Sequence, residues 1–233
     1  YLQPKPSAIV FPKNTAEVVS LVKWARAKKI GLVPSGGRTG LSGGAAALNG
    51  EVVVSFQKMN KILEFDEYDQ TVTVEPGVIT ESLQQFAESK GLYYPVDFAS
   101  RGSSHIGGNV ATNAGGIKVM RFGLTRQWVQ ALEVVTGEGE VLQLNNSLVK
   151  NATGLDLRHL MIGSEGTLGF ITKVTLGLTR PTAPPSLFVF GVADLAAVMK
   201  IYHAFKSELP LLAFEMFTDL ALKHVLLHHT DLK

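Results

Sequence analysis

The sequence predicts an α+β fold. Segments of helical period are interleaved with short runs of strand period, and two of the strand pairs are separated by turn signals, which makes part of the sheet antiparallel. The chain is also large enough to support such a fold. Its 233 residues are 45% hydrophobic and 18% charged, sufficient to bury a full core in one large or two smaller domains.

Asn14-Thr15-Ala16-Glu17 reads as a capping box, and Val18, Leu21, Val22 and Ala25 follow at helical spacing, predicting a helix over 15–29 stopped by Gly31. Residues 30–34 then form a short strand running into a glycine loop. Val52 to Ser55 is a second strand, and residues 62–65 and 71–75 form a hairpin around Asp69-Gln70, closed by Pro76-Gly77. Thr80 caps a helix to about Lys90, with Leu83, Phe86 and Ala87 on one face and Gly91 at the stop. A second hairpin joins 130–136 to 140–144 through Gly137-Glu138-Gly139. Residues 157–162 read as a short helix and 168–178 as a long strand. Trp24 and Trp128 are expected in the core.

Three prolines among residues 181–185 mark a stiff linker, so the expected division is 1–180, a linker 181–186, and 187–233. The last part reads as strand 187–192, helix 194–207 with Leu195, Val198, Tyr202 and Phe205 inward, strand 211–217 and helix 218–228. This is the opening of a larger domain. A start at Tyr1 without Met is compatible with a fragment.

The charge balance excludes some partners. Twenty-two Lys and Arg against 20 Asp and Glu give a net charge of +2 without a basic block, which offers no footprint for nucleic acid or an anionic membrane. With no cysteine there is no disulfide scaffold, thiolate metal site or thiol nucleophile. No apolar run reaches the roughly 18 residues of a membrane span, and residues 1–12 are not a charged-then-apolar targeting segment.

The 23 glycines are clustered. Residues 35–44, Ser-Gly-Gly-Arg-Thr-Gly-Leu-Ser-Gly-Gly, hold five, and a second cluster runs from Ile106-Gly107-Gly108-Asn109 to Ala114-Gly115-Gly116. Glycine loses more backbone freedom on folding than any other residue, so loops of this kind serve tight turns or close approach to a ligand. Read as two loops with small polar residues, they can surround a large, anionic, aromatic cofactor. The N–H groups of 36–41 and the Arg38 guanidinium suit a pyrophosphate.

Other chemistries fit less well. There is no G-x-G-x-x-G and no Gly-Lys pair, which excludes the common dinucleotide and triphosphate cradles. Gly40-Leu41-Ser42-Gly43-Gly44 satisfies G-x-S-x-G, but a nucleophile elbow needs a strand before and a helix after its serine. His224, His228 and His229 place two imidazoles one turn apart, yet a solvated helix face explains them without a metal. Of the lone histidines 105 and 159, His105 is the better candidate because it borders a glycine cluster.

Taken together, six motifs in order over about residues 4–180 resemble the FAD-binding (PCMH-type) domain of the vanillyl-alcohol oxidase superfamily, closest to its D-lactate, glycolate and D-2-hydroxyglutarate dehydrogenase group. They are residues 34–40, Val74-Glu75-Pro76-Gly77-Val78, Pro95-Val96-Asp97, 106–116, Arg121-Phe122-Gly123 and 163–172. The resemblance implies two α+β subdomains with FAD extended between them, followed by a cap domain carrying most of the substrate site. It places Gly36, Gly37, Arg38, Thr39, Gly40 and Leu41 at the pyrophosphate, and Pro76, Gly77, Gly107, Gly108, Asn109, Thr112, Asn113 and Gly116 along the ribityl chain and isoalloxazine. Glu165, Gly166 and Ile171 line the cleft nearer the other end. Pro34, Ser35, Pro95, Asp97, Ser103, Gly115 and Gly169 complete the implied cofactor-binding set.

Several relatives attach FAD through a His that follows Gly-Gly in the first loop. Here that position is Arg38, so non-covalent FAD is expected. By the same likeness the catalytic base and any metal ligands belong to the cap beyond residue 233, and neither is assigned within this chain. The implied function is flavin-dependent oxidation of a D-2-hydroxy acid by hydride transfer to flavin N5, with a separate electron acceptor. A catalytically silent flavin-binding module and a serine hydrolase using Ser42 are the alternatives. The expected setting is cytoplasmic, with peripheral membrane association or an organellar matrix left open, and a homodimer is compatible with it.

Overall fold

In the computed structural model, which describes residues 3–145, 148 and 150–229, two sheets frame the functional region. The first is built from β1 (Ala8–Val10), helix α1 (Thr15–Lys28), β2 (Leu32–Ser35) and β3 (Val52–Ser55), with strand order β1-β3-β2 and every pair parallel. The Asn14 side chain accepts the Glu17 N–H at 2.9 Å, so the N-cap half of the predicted capping box forms, while the Glu17 carboxylate returns to the Lys13 N–H at 2.9 Å and not to that of Asn14. Val18, Val22 and Ala25 bury one face of α1, whereas Trp24 is 46% exposed and does not belong to the core. The helix also stops before Gly31. Lys29 adopts φ 55 and its N–H returns to Ala25 and Arg26 carbonyls, a left-handed cap that turns the chain early into β2.

The second sheet is antiparallel, with order β4-β5-β8-β6-β7. Its members are β4 (Ile62–Asp66), β5 (Thr71–Val74), β6 (Val129–Thr136), β7 (Val141–Leu144) and β8 (Gly169–Gly177). Both predicted hairpins form, and the long C-terminal strand β8 lies between β5 and β6. Helices α2 (Thr80–Ser89), α3 (Ile106–Ala111), α4 (Val119–Phe122) and α5 (Arg158–Met161) belong to this half. Leu83, Ile106, Val110, Leu132, Val134 and Val174 are core residues. Trp128 is half-buried beside it, its Nε1–H donating to the Phe122 carbonyl at 2.9 Å.

Thr80 is the first residue of α2 and not its cap. Its hydroxyl is instead buried, 2.7 Å from the Ser104 hydroxyl and accepting the Asn109 side-chain N–H at 2.7 Å. A second polar knot ties helix α1 to the second sheet. Glu133 on β6 accepts from Thr15 of α1 (2.6 Å), Gln143 (2.7 Å), Thr172 (2.9 Å) and Lys173 (2.8 Å). Burial pushes this carboxyl's pKa up, but the bonds from Lys173, Thr15, Gln143 and Thr172 outweigh it and hold the group below its ordinary value.

Beyond residue 180 come α6 (Leu195–Glu208) and α7 (Asp219–His228), capped by Asp194 and Thr218 as helices of these lengths require. The expected strands 187–192 and 211–217 do not form, because no described segment supplies a ladder partner. Phe188 and Phe190 stack on each other and meet Phe205 of α6 with their rings tilted. Leu195 is exposed, contrary to the inward position expected of it, while Val198, Tyr202 and Phe205 are only half-buried. Among the described residues no helix is long and apolar enough to cross a membrane.

Candidate cofactor site

A cavity of about 530 Å³ opens where the end of β2, loop 36–46, Pro76, α3, turn 164–166 and the start of β8 meet. That volume falls within the range of cofactor and small-molecule sites. The second glycine cluster, expected as a loop, is largely helical, since Gly107 and Gly108 sit inside α3. Glycine is poor in helices, so α3 depends on its surroundings. At its start, Ile106 N–H donates to the Val78 carbonyl (2.9 Å) and Gly107 N–H to that of Pro76 (2.8 Å). At its end, the Val110 and Ala111 carbonyls accept from Gly163 and Glu165 N–H (3.1 and 2.9 Å).

Glycine's missing side chain is what brings these segments together. A Cβ on Gly107 would stand 2.5 Å from the Pro76 Cβ. One on Gly166, at φ 81, would overlap the Pro34 ring. Gly36 packs against His105 and the Gly108 backbone, a Cβ there standing 3.4 and 3.8 Å from them, so the two glycine clusters, far apart in sequence, meet there and form two walls of one space.

The first loop has a different character. Among the described residues no backbone N–H from 36 to 42 has a protein acceptor, and Arg38 takes the left-handed region at φ 57. A run of undirected N–H groups around one guanidinium is a cradle for an anion. Arg38 and Glu165 are the charged residues lining the cavity, and Phe56, Phe98 and Phe170 are its phenylalanines. These residues fit a cofactor with a phosphate part and a flat apolar part.

Of the implied cofactor-binding residues, Pro34, Ser35, Gly36, Gly37, Arg38, Thr39, Gly40, Pro76, Gly107, Gly108, Asn109, Thr112, Gly115, Glu165, Gly166, Gly169 and Ile171 line this cavity. The others stand off its wall. Leu41 points fully into solvent. Gly77 packs against the Phe56 and Met59 carbonyls, and Gly116 against that of Asp97. Asp97 is paired with Lys118 at 2.7 Å. Pro95 is buried, and Ser103 is exposed behind Gly37. Asn113, at φ 49, accepts the Arg126 N–H at 3.0 Å and so fixes the turn after α3. Arg126 also bonds His159, which occupies that histidine away from the cavity.

Gly43, Gly44, Ala45 and Ala46 also line the site, continuing the glycine signal past the expected residues. Phe56, Phe98 and Phe170 carried no such signal, since each reads in the sequence as an ordinary core residue. Ser42 lies on the cavity wall, but irregular chain and then β3 follow it where a nucleophile elbow requires a helix. The hydrolase reading therefore fails on geometry. No cluster of three or more His, Asp or Glu able to hold a metal occurs among the described residues.

Residues 6–145 match a family model described as the FAD binding domain. A D-2-hydroxyglutarate dehydrogenase of Stutzerimonas stutzeri is 59% identical over 226 residues, covering 97% of this chain and 49% of that protein. One from Xanthomonas citri pv. viticola is 54% identical over 225 residues, covering 97% and 48%. Among solved structures, an alkyldihydroxyacetonephosphate synthase superposes with a TM-score of 0.66 at 27% identity, covering 74% of this chain and 34% of its own. The chain spans about half the length of the curated relatives it matches.

Proposed function

The chain belongs to the FAD-binding-domain family, and from that premise we propose that it is the flavin-holding part of a dehydrogenase that oxidises a D-2-hydroxy acid, D-2-hydroxyglutarate by likeness to its relatives. One observation carries the reading: a phosphate-type cradle around Arg38 and the glycine-containing helix α3 meet and line a single cavity. The cofactor is FAD. When bound it supplies the acceptor for hydride leaving the substrate's C2, with the flavin N5 as its destination.

In this reading Arg38 and the N–H groups of the first loop hold the pyrophosphate, each charge-assisted bond contributing about 1.5 to 3 kcal/mol. Gly108, where a Cβ would meet nothing within 4 Å, lets the ribityl chain and ring approach the α3 backbone without a side chain between. Phe98 and Phe170 exclude water from that wall. A substrate-holding cap after a linker at 181–186, a catalytic base in that cap and a separate electron acceptor belong to the same proposal.

Two measurements test it. Purified full-length protein should carry flavin absorbance that bleaches on anaerobic addition of D-2-hydroxyglutarate. A flavin spectrum that no D-2-hydroxy acid bleaches would leave only a silent binding module. Because Arg38 stands where some relatives carry an attaching histidine, denaturation should release free FAD. A flavin mass retained on the denatured chain would contradict non-covalent binding.

A further inference from the structure

His105 is a polar group on the cavity wall to which the cofactor reading gives no task. It is the N-cap residue of α3 with extended backbone (φ −98, ψ 142), and a bridge to Ile79 pins it there. A Cβ on Gly36 would stand 3.4 Å from the His105 Cβ and 3.8 Å from its Cγ, so the side chain lies directly against the first loop. Its Nδ1 is sealed from solvent and has no hydrogen-bond partner among the described residues. Nε2 also lacks a partner among the described residues, but it is not sealed, and the residue lines the cavity.

These facts select a tautomer. A neutral imidazole has one N–H and one lone pair. A buried N–H without an acceptor is the rarer and costlier orphan, whereas an under-used acceptor is better tolerated. The proton therefore sits on Nε2, facing the cavity. Burial, and then the positive charge of Arg38, hold the His105 pKa below its ordinary value. A second proton would also have to enter the sealed Nδ1. The charged groups that share the cavity with the ring are Arg38 from the first loop and Glu165 from the turn after α5.

We propose that His105 is a fixed, uncharged hydrogen-bond donor of the cofactor site, presenting Nε2–H to an uncharged oxygen or nitrogen of the ribityl chain or flavin ring and not to the pyrophosphate. The proposal rests on the FAD reading. A phosphate partner would call for an imidazolium, and the sealed nitrogen opposes one. Arg38 and the first loop already supply that charge and those donors.

The test is FAD titration of the apo full-length protein, read by flavin fluorescence between about pH 5.5 and about pH 8.5, for wild type and for His105→Ala, His105→Gln and His105→Asn. A glutamine amide N–H reaches roughly where Nε2 stands, and an asparagine amide only where Nδ1 stands. Loss of one neutral hydrogen bond should weaken binding about 3- to 10-fold in His105→Ala, by the same factor across the pH range. His105→Gln should recover most of the affinity and His105→Asn little, with apo melting temperatures unchanged in the glutamine variant. An unaltered affinity in His105→Ala, equal rescue by both amides, or a loss that grows as pH falls would each overturn the proposal. Wild-type protein that binds no FAD would instead overturn the cofactor reading itself, a result no His105 variant can imitate.

Discussion

The two walls of the cavity are both glycine-rich, yet they are held in opposite ways. Loop 36–44 has no regular structure, and its first seven N–H groups lack protein acceptors among the described residues. Helix α3 is bonded at both ends and through Asn109 in the middle. Gly40 in the loop has open space beside it, whereas Gly107 in the helix lets protein pack against protein; Gly37, hard against the Ser103 carbonyl, and Gly108, with nothing within 4 Å, show that each wall also carries the other kind. The same residue type thus serves open approach at some positions and close packing at others, and substitution should separate the two.

The largest effect is expected at Gly107. A valine there would drive its side chain into Pro76, whose Cβ is already 2.5 Å from where a Cβ would stand. Overpacking of this kind costs about 3 kcal/mol, and the melting temperature should fall by several degrees with FAD affinity falling alongside it. Gly40 is the control on the other wall, since a Cβ there meets nothing within 4 Å. Gly40→Ala should leave the melting temperature unchanged or slightly raised. Equal losses at the two positions would erase the distinction between open approach and close packing.

Arg38 sharpens the comparison from the recognition side. Arg38→Ala should leave the apo melting temperature alone and weaken FAD binding about 10- to 100-fold, the equivalent of one charge-assisted bond, as calorimetric titration would show. A fall in apo stability with unchanged affinity would make the first loop a structural element after all.

The contrast also explains what the sequence made legible. The first loop was readable because five glycines in ten residues cannot support a regular element, and its arginine has no apolar neighbour to pack on. The helical nature of α3 was not readable. Gly107 and Gly108 argue against a helix locally, and the bonds that override them come from residues 76–78 and 163–165. Strands 187–192 and 211–217 failed for the converse reason. Their apolar patterns suit a sheet, but a strand needs a partner, and no local pattern reports whether one exists. Thr80 misled for a third reason: a threonine before a helical run usually caps it, and here a buried bond to Asn109 claims the hydroxyl.

A smaller effect concerns how helix α1 is tied to the second sheet. The Glu133 carboxyl titrates below its ordinary value in the folded chain. Its stabilisation is therefore complete above the unfolded value of about 4.3 and is lost as pH falls through the lower folded one. Glu133→Gln should cost about 1 to 2 kcal/mol at neutral pH and flatten the acid limb of a stability-versus-pH curve. An acid limb identical in both proteins would assign acid unfolding to other carboxylates.

The smallest effect is expected in the core behind α3. Tyr94 is fully buried, and its hydroxyl has no hydrogen-bond partner among the described residues. Burial alone pushes its pKa far up, so the group stays protonated at every pH the fold survives. An unpaired buried hydroxyl carries a desolvation penalty without a compensating bond, and phenylalanine removes the penalty while keeping the ring. Tyr94→Phe should accordingly be neutral or stabilising by up to about 1 kcal/mol, measured by urea denaturation. A clear destabilisation would show that the hydroxyl is bonded in solution. The α3 wall would then depend on a polar contact as well as on close packing, and its difference from the loop wall would narrow.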